Sequence, residues 1–173
     1  MRLAIGTAQF GMDYGIANRN GKISLSDATQ ILKIGLQFGV DTIDTAAAYG
    51  NSEAVLGQIG VSDRKVVTKL PLESDDSCSI GSWFEKHIDR ALARLKINNI
   101  HALLIHKSSQ ITSQNAKAIN EAVARAKKVR KITKFGVSIY HPWELDRIYT
   151  LVRPDLVQVP LNAFDRRILE SGW

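Results

Sequence analysis

Four titratable residues stand at or just beyond the carboxyl ends of three predicted β-strands. Asp44 ends an apolar run and Tyr49 follows in the next loop, while Lys69 and His106 each end a later run. The carboxyl ends of parallel strands meet on one face of a sheet or barrel built from βα units, and such folds place their chemistry there. We therefore predict that these four side chains converge on one site.

These residue types suit the reduction of a carbonyl group. Hydride transfer to a carbonyl leaves an alkoxide, which needs a proton from a nearby acid. Tyr49 could supply it, and the ammonium of Lys69 is expected to lower the pKa of the phenol from about 10. Asp44 would pair with Lys69 and hold it in place, and His106 would orient or polarise the carbonyl. Each residue alone also has an ordinary structural explanation, so the hypothesis depends on the set.

A second chemistry uses Lys69 as a Schiff-base nucleophile, as in an aldolase. An adjacent carboxylate such as Asp44 favours the charged ammonium, which is not nucleophilic. The sequence therefore favours acid catalysis over this alternative. A metal centre is not expected, because His87 and His141 have no partner residue at metal-ligand spacing.

The predicted elements that carry these residues alternate between strand and helix. Strand-like runs occur at residues 2–6, 40–44, 65–69, 100–106, 134–137 and 156–160. Helices are predicted at residues 28–38, 52–59, 115–129 and 142–151, and after a capping box at residues 82–85. The helix at 28–38 follows another capping box, at residues 24–27, and has a broad apolar face. This alternation predicts a parallel sheet covered by helices, in a single domain of residues 1–173.

The segment after the first strand helps to choose between an open sheet and a barrel. Residues 6–11 lack the G-x-G-x-x-G spacing of a dinucleotide-binding fold and lead into a loop of about 20 residues. Loops of that length are usually functional, and here we expect a lid over the site. The pattern therefore favours a barrel.

Composition excludes several classes of partner. Of the 173 residues 45% are hydrophobic, and no apolar run reaches the roughly 18 residues that a membrane span needs. The single cysteine, Cys78, lies in a polar stretch, as suits a reducing compartment, so we expect a cytoplasmic protein.

The net charge of +6 owes much to six basic residues within residues 125–134. A nucleic-acid patch is one explanation, but this run lacks aromatic residues and lies opposite the predicted site. A solvated helix end is the better explanation, because basic side chains favour a helix C-terminus. We expect neither a nucleic-acid nor a membrane partner.

Residues 39–57 closely resemble the signature of the aldo-keto reductases, in which an Asp ends the second strand and a Tyr precedes Gly-x-Ser-Glu. Residues 66–69 are similar to the segment with the family's lysine, and residues 103–106 to the segment with its histidine. Residues 136–138 and Gln158 extend the resemblance over most of the chain. The resemblance implies a (β/α)8 TIM-type barrel that reduces an aldehyde or ketone with NADPH.

The same resemblance suggests how the cofactor would be held. Ser138 and Gln158 would bind the nicotinamide carboxamide, and Thr7 or Asp44 would approach the ribose. Ile139 departs from the family pattern, in which an Asn often follows the Ser. Residues 6–17 resemble a branch associated with polysaccharide and nucleotide-sugar biosynthesis, which suggests a sugar-derived carbonyl as the small-molecule substrate.

A complete (β/α)8 barrel takes about 250 residues. The chain supplies about six strands and five to six helices, so we expect an incomplete barrel from a truncated chain. The missing part would include much of the cofactor phosphate site. The alternative to a reductase is thus a catalytically silent partial barrel that serves as an assembly or folding unit. In either case the open strand edges would favour self-association.

Overall fold

The computed structural model describes residues 3–72 and 79–173, so Cys78 lies outside the described residues. The strands in these ranges are β1 (Ala4–Gly6), β2 (Thr42–Asp44), β3 (Lys65–Leu70), β4 (Ile100–Ile105), β5 (Ile132–Ser138) and β6 (Leu156–Gln158). The helices are α1 (Ala8–Gly11), α2 (Leu25–Gln37), α3 (Ser52–Ile59), α4 (Ile80–Leu95), α5 (Ser113–Lys128), α6 (Glu144–Leu151) and α7 (Arg167–Glu170). A 3₁₀ turn covers Ser108–Gln110.

The six strands form one parallel sheet in the order of the sequence, β1 to β6. These correspond to six of the eight strands of a (β/α)8 barrel, which confirms the predicted incomplete TIM-type fold. All six predicted strands are present, with ends that differ by a few residues. The number of helices is higher than predicted because α1 and α7, of four residues each, were not foreseen.

The two faces of the sheet bury different residues. Alternation along each strand points Ile43, Val66 and Leu103 toward the helices, where they join the main apolar core. The opposite, concave face has a small apolar cluster of its own, made by Val67, Ala102 and Leu104, with Leu156 packed against it. The last concave-facing positions of the strands are therefore directly above this cluster, at the carboxyl ends.

Most predicted helix starts are close to those observed, with one clear correction. Ser24 caps α2 as predicted, accepting a hydrogen bond from the backbone N–H of Asp27 at 3.1 Å. The capping box at residues 82–85 is wrong, because Ser79 is the cap of α4 and accepts from the N–H of Ser82. Ser79 offers the same hydroxyl one turn earlier, and the chain becomes helical from there.

The broad apolar face of α2 is only partly buried. Ala28 and Leu32 are fully covered, whereas Ile34 is 44% and Phe38 is 82% exposed. Helix periodicity identifies which side chains share a face, but burial requires another element against that face. Among the described elements, α3 is the one that packs most against α2.

The basic segment at residues 125–134 lies where the sequence predicted, across the end of α5 and the start of β5. Three of its side chains form ion pairs: Arg125 with Glu85, Lys127 with Asp155 and Lys131 with Asp89. With half of its six basic residues paired, the segment fits a solvated helix end better than a phosphate-binding surface.

None of the described helices is long and apolar enough to cross a membrane. In residues 3–72 and 79–173, no group of three His, Cys, Asp or Glu side chains is placed to hold a metal ion.

Candidate active site

A cleft of about 300 Å³ opens at the carboxyl ends of β2 to β6. The structure brings Asp44, Tyr49, Lys69 and His106 together in its wall. The remaining lining residues come from the segments that end β5 and β6: Ser138, Ile139, Tyr140, Gln158, Val159 and Pro160. Strand alternation explains the convergence, since Asp44 and Lys69 occupy concave-facing positions of their strands.

Lys69 is the centre of the hydrogen-bond network in the cleft, and its side chain is only 3% exposed. Its ammonium donates to both carboxylate oxygens of Asp44, at 2.9 and 2.8 Å, and to the carbonyl oxygen of Thr45 at 2.9 Å. It also lies 3.4 Å from the hydroxyl oxygen of Tyr49. Lys69 thus joins the carboxylate to the phenol.

Gln158 contacts Asp44, and His106 contacts Tyr49. The side-chain amide of Gln158 donates to Asp44 Oδ1 at 2.9 Å, a contact between residues 114 positions apart. The ring of His106 meets the ring of Tyr49 edge-on, with 5.9 Å between centroids and an angle of 82°. Within the described part of the chain, no hydrogen bond engages the His106 imidazole or the Ser138 hydroxyl, so both can contact a ligand.

Thr7 is not among the residues that line the cleft in the described structure, and the contact of Thr7 or Asp44 with the cofactor ribose stays a prediction. Its side chain is fully buried, and its hydroxyl donates to the carbonyl oxygen of Asp44 at 3.0 Å. Ser52, also buried, lies 2.9 Å from the Thr7 hydroxyl and 3.0 Å from that of Thr45. Thr7 therefore positions the end of β2 from behind the site.

The sequence analysis missed Thr45 and Ser52 as supports of the site. The available signal was the Gly-x-Ser-Glu segment, whose serine and glutamate are both buried. Glu53 accepts hydrogen bonds from Thr68 at 2.6 Å and from Arg94 at 2.6 Å. These bonds attach α3 to α4 and to Thr68, the residue of β3 that precedes Lys69.

A close contact between the end of α1 and the turn that carries Tyr49 fixes the position of Tyr49. A Cβ atom on Gly11 would lie 1.8 Å from the carbonyl oxygen of Tyr49, and one on Gly50 would lie 2.3 Å from the carbonyl oxygen of Gly11. Gly50 also has a φ of 56°, in the left-handed region that favours glycine. The loop after β1 can therefore pack directly against the turn that carries Tyr49.

Burial determines the protonation of the site. It raises the pKa of Tyr49 to about 12, and the negative charge of Asp44 acts in the same direction. The expected lowering of this pKa by Lys69 is thus wrong for the structure, because Lys69 is already paired with Asp44. Burial also lowers the pKa of Lys69, against the opposing attraction of Asp44. The pKa of His106 is lowered by burial and by the nearby ammonium of Lys69, so its imidazole is neutral at pH 7.

The sequence model of the Aldo/keto reductase family matches residues 2–172. The chain belongs to the aldo/keto reductase family. This aldo/keto reductase is 24% identical over 171 residues to the 6-dehydroglucose reductase of Novosphingobium aromaticivorans, a match that covers 85% of the chain and 55% of that protein.

Solved structures of the family are similar in fold. The glycerol dehydrogenase of Gluconobacter oxydans matches with a TM-score of 0.73 and 26% identity, over 96% of this chain and 53% of the other. The aldo-keto reductase of Bombyx mori, solved in complex with NADP, matches with a TM-score of 0.68 and 22% identity, over 92% and 54%. The chain thus spans about half the length of these relatives.

The raised pKa of Tyr49 leads to a prediction for this aldo/keto reductase. In an ultraviolet titration, the phenolate signal lost on Tyr49→Phe substitution is expected to have its midpoint near pH 12. Between pH 10 and 12 the folded chain retains a proton that the unfolded chain releases, so the free energy of unfolding should fall as pH rises there. A difference titration with a midpoint at or below the ordinary value of about 10 would contradict the burial argument.

Proposed function

We propose that this aldo/keto reductase reduces an aldehyde or ketone to an alcohol with NADPH, and that Tyr49 is the general acid. The observation that carries the proposal is the position of the Lys69 ammonium, between the carboxylate of Asp44 and the hydroxyl of Tyr49. The Asp44 carboxylate holds the ammonium in place, and the ammonium lies next to the hydroxyl that would donate the proton.

The hydrogen-bond direction supports the role of Tyr49. Since Lys69 can only donate, the Tyr49 oxygen accepts from it and the phenol's own proton remains available to a ligand in the cleft. A pKa of about 12 keeps that proton in place at neutral pH. When an alkoxide forms beside it, Tyr49 donates the proton, and Lys69 stabilises the resulting phenolate through the shared bond.

His106 would position the substrate. A neutral imidazole carries one N–H donor, and no described residue accepts from it, so it can donate to the carbonyl oxygen. Its ring edge against Tyr49 places that donor and the phenol on the same side of the cleft. Two donors directed at one oxygen would both polarise and orient the carbonyl.

The residues at the ends of β5 and β6 fit a nicotinamide carboxamide. Ser138 and Gln158 are paired in register on neighbouring strands and both line the cleft, one with a free hydroxyl and the other with an amide. When bound, the reduced nicotinamide supplies the hydride. Ser138 and Gln158 would hold the carboxamide, whereas Ile139, 1% exposed, offers it no side-chain hydrogen bond. Gln158 can do so without releasing Asp44, because its amide oxygen and its second N–H take no part in that bond.

The substrate proposed is a small carbonyl compound of the sugar-derived class. The polar lining of the cleft supports this, as do the names of two relatives, a 6-dehydroglucose reductase and a glycerol dehydrogenase. A catalytically silent partial barrel is the less favoured alternative, because a buried ammonium with three kinds of acceptor is costly to maintain without a use. A cytoplasmic location remains a prediction from the sequence.

The test is direct. Purified chain is titrated with NADPH while cofactor fluorescence is followed, and NADPH consumption is then measured with D-glyceraldehyde and with no aldehyde. Aldehyde-dependent consumption supports the reductase, and the absence of saturable NADPH binding would favour the silent alternative. Sedimentation of the same sample tests self-association, which we propose through the edges of β1 and β6, since each pairs with one neighbour in the described sheet.

A further inference from the structure

Tyr140 presents a large aromatic ring at the edge of the cleft. It lines the cleft together with Tyr49, Lys69 and His106, yet it is 65% exposed. The reaction proposed above gives this ring no role. An exposed ring beside a polar cleft provides a flat apolar surface next to hydrogen-bonding groups.

The backbone that carries Tyr140 is held firmly. The N–H groups of Tyr140 and His141 both donate to Glu144 Oε1, at 2.8 and 2.7 Å. Ser108, from the segment after β4, donates to the other carboxylate oxygen of Glu144. Arg147 donates back to the Ser108 carbonyl at 2.8 Å. The loop is therefore fixed before any ligand arrives, and binding against the ring costs little ordering of the backbone.

The opposing groups in the cleft are polar and available. With Ser138 assigned to the cofactor, the imidazole of His106 and the phenol of Tyr49 can each bond to a ligand hydroxyl or carbonyl. A purely apolar ligand would leave these groups without partners, at a cost in free energy for each. A ligand with hydroxyls at its rim and an apolar C–H face satisfies both sides, and a sugar ring has that shape.

We propose that Tyr140 forms a sugar-stacking subsite, against which the C–H face of a pyranose ring packs while its hydroxyls reach the polar wall. The proposal rests on the reductase function above and narrows its substrate to a sugar whose carbonyl lies outside a closed ring. Tyr140 is then a specificity-determining residue. It contributes through ring contact and not through proton transfer.

The experiment uses methyl β-D-glucopyranoside as a probe, in saturation-transfer NMR titrations of the whole chain. D-sorbitol is the matched ligand, because it has the hydroxyls without a fixed C–H face. Tyr140→Ala is expected to weaken glucoside binding by about three- to tenfold, whereas Tyr140→Phe keeps the ring and stays within about twofold of wild type. Tyr149→Ala, which removes a 50% exposed tyrosine outside the cleft lining, should change nothing.

Saturation should be strongest for the axial protons of one sugar face, and sorbitol binding should not respond to Tyr140→Ala. Unchanged glucoside affinity in a folded Tyr140→Ala protein would overturn the subsite, and so would absence of glucoside binding to wild type. Because the readout needs no turnover, it separates the two proposals. Ring-dependent binding by a protein that reduces no aldehyde supports the sugar-stacking subsite and contradicts the reductase. Aldehyde reduction by a protein whose glucoside binding does not depend on Tyr140 supports the reductase and contradicts the subsite.

Discussion

Tyr49→Phe is expected to lower kcat for aldehyde reduction by about 10²- to 10⁴-fold, the usual contribution of a well-placed general acid. The substitution removes the hydroxyl that Lys69 contacts at 3.4 Å and leaves the ring edge against His106 in place. NADPH affinity should be nearly unchanged, because the phenol acts on the substrate. Steady-state kinetics and a separate fluorescence titration of NADPH measure the two effects.

Tyr149→Phe is the matched control for this experiment. It deletes the same hydroxyl from an exposed tyrosine on α6, outside the residues that line the cleft. Its kcat should equal that of wild type. If Tyr49→Phe also kept the wild-type kcat, Tyr49 could not be the acid.

Lys69→Met should affect both turnover and stability. Within the described residues, the Asp44 carboxylate would lose two of its three hydrogen bonds and keep the one from Gln158. Removing one partner of a buried ion pair costs about 3–5 kcal/mol, and we expect up to about 3 kcal/mol here because the Asp44 side chain is 20% exposed. The free energy of unfolding in urea measures this loss. Turnover should fall by at least about 10²-fold, because the phenolate would lose its cation.

Lys65→Met tests whether any lysine on β3 would behave in the same way. Lys65 also pairs with an aspartate, Asp41, at 2.5 Å, but both side chains are about two-fifths exposed. Solvent screens such a pair, so the loss of stability should stay below about 1 kcal/mol with kcat unchanged. Equal effects of the two substitutions would show that the burial of Lys69 has no special role.

Much of the site was predictable because it depends on local pattern. The apolar runs before Asp44, Lys69 and His106 identify strand ends, and parallel pairing alone then brings those ends to one face. The alternation of the runs with helices likewise predicted a parallel sheet covered by helices. The Tyr49 loop was recognisable because residues 39–57 resemble the aldo-keto reductase signature.

Other features depend on contacts between distant parts of the chain, and the sequence held no signal for them. The bond from Gln158 to Asp44 joins the last strand to the second, and the burial of Thr7 behind Asp44 depends on how α3 packs. The pKa of Tyr49 is raised, and not lowered as the sequence analysis expected, because it too depends on such contacts. The sequence predicts that Lys69 and Tyr49 lie close together. The pKa of Tyr49, however, depends on how deeply its hydroxyl is buried and on the negative charge of the nearby Asp44. Those quantities exist only once the strands are assembled.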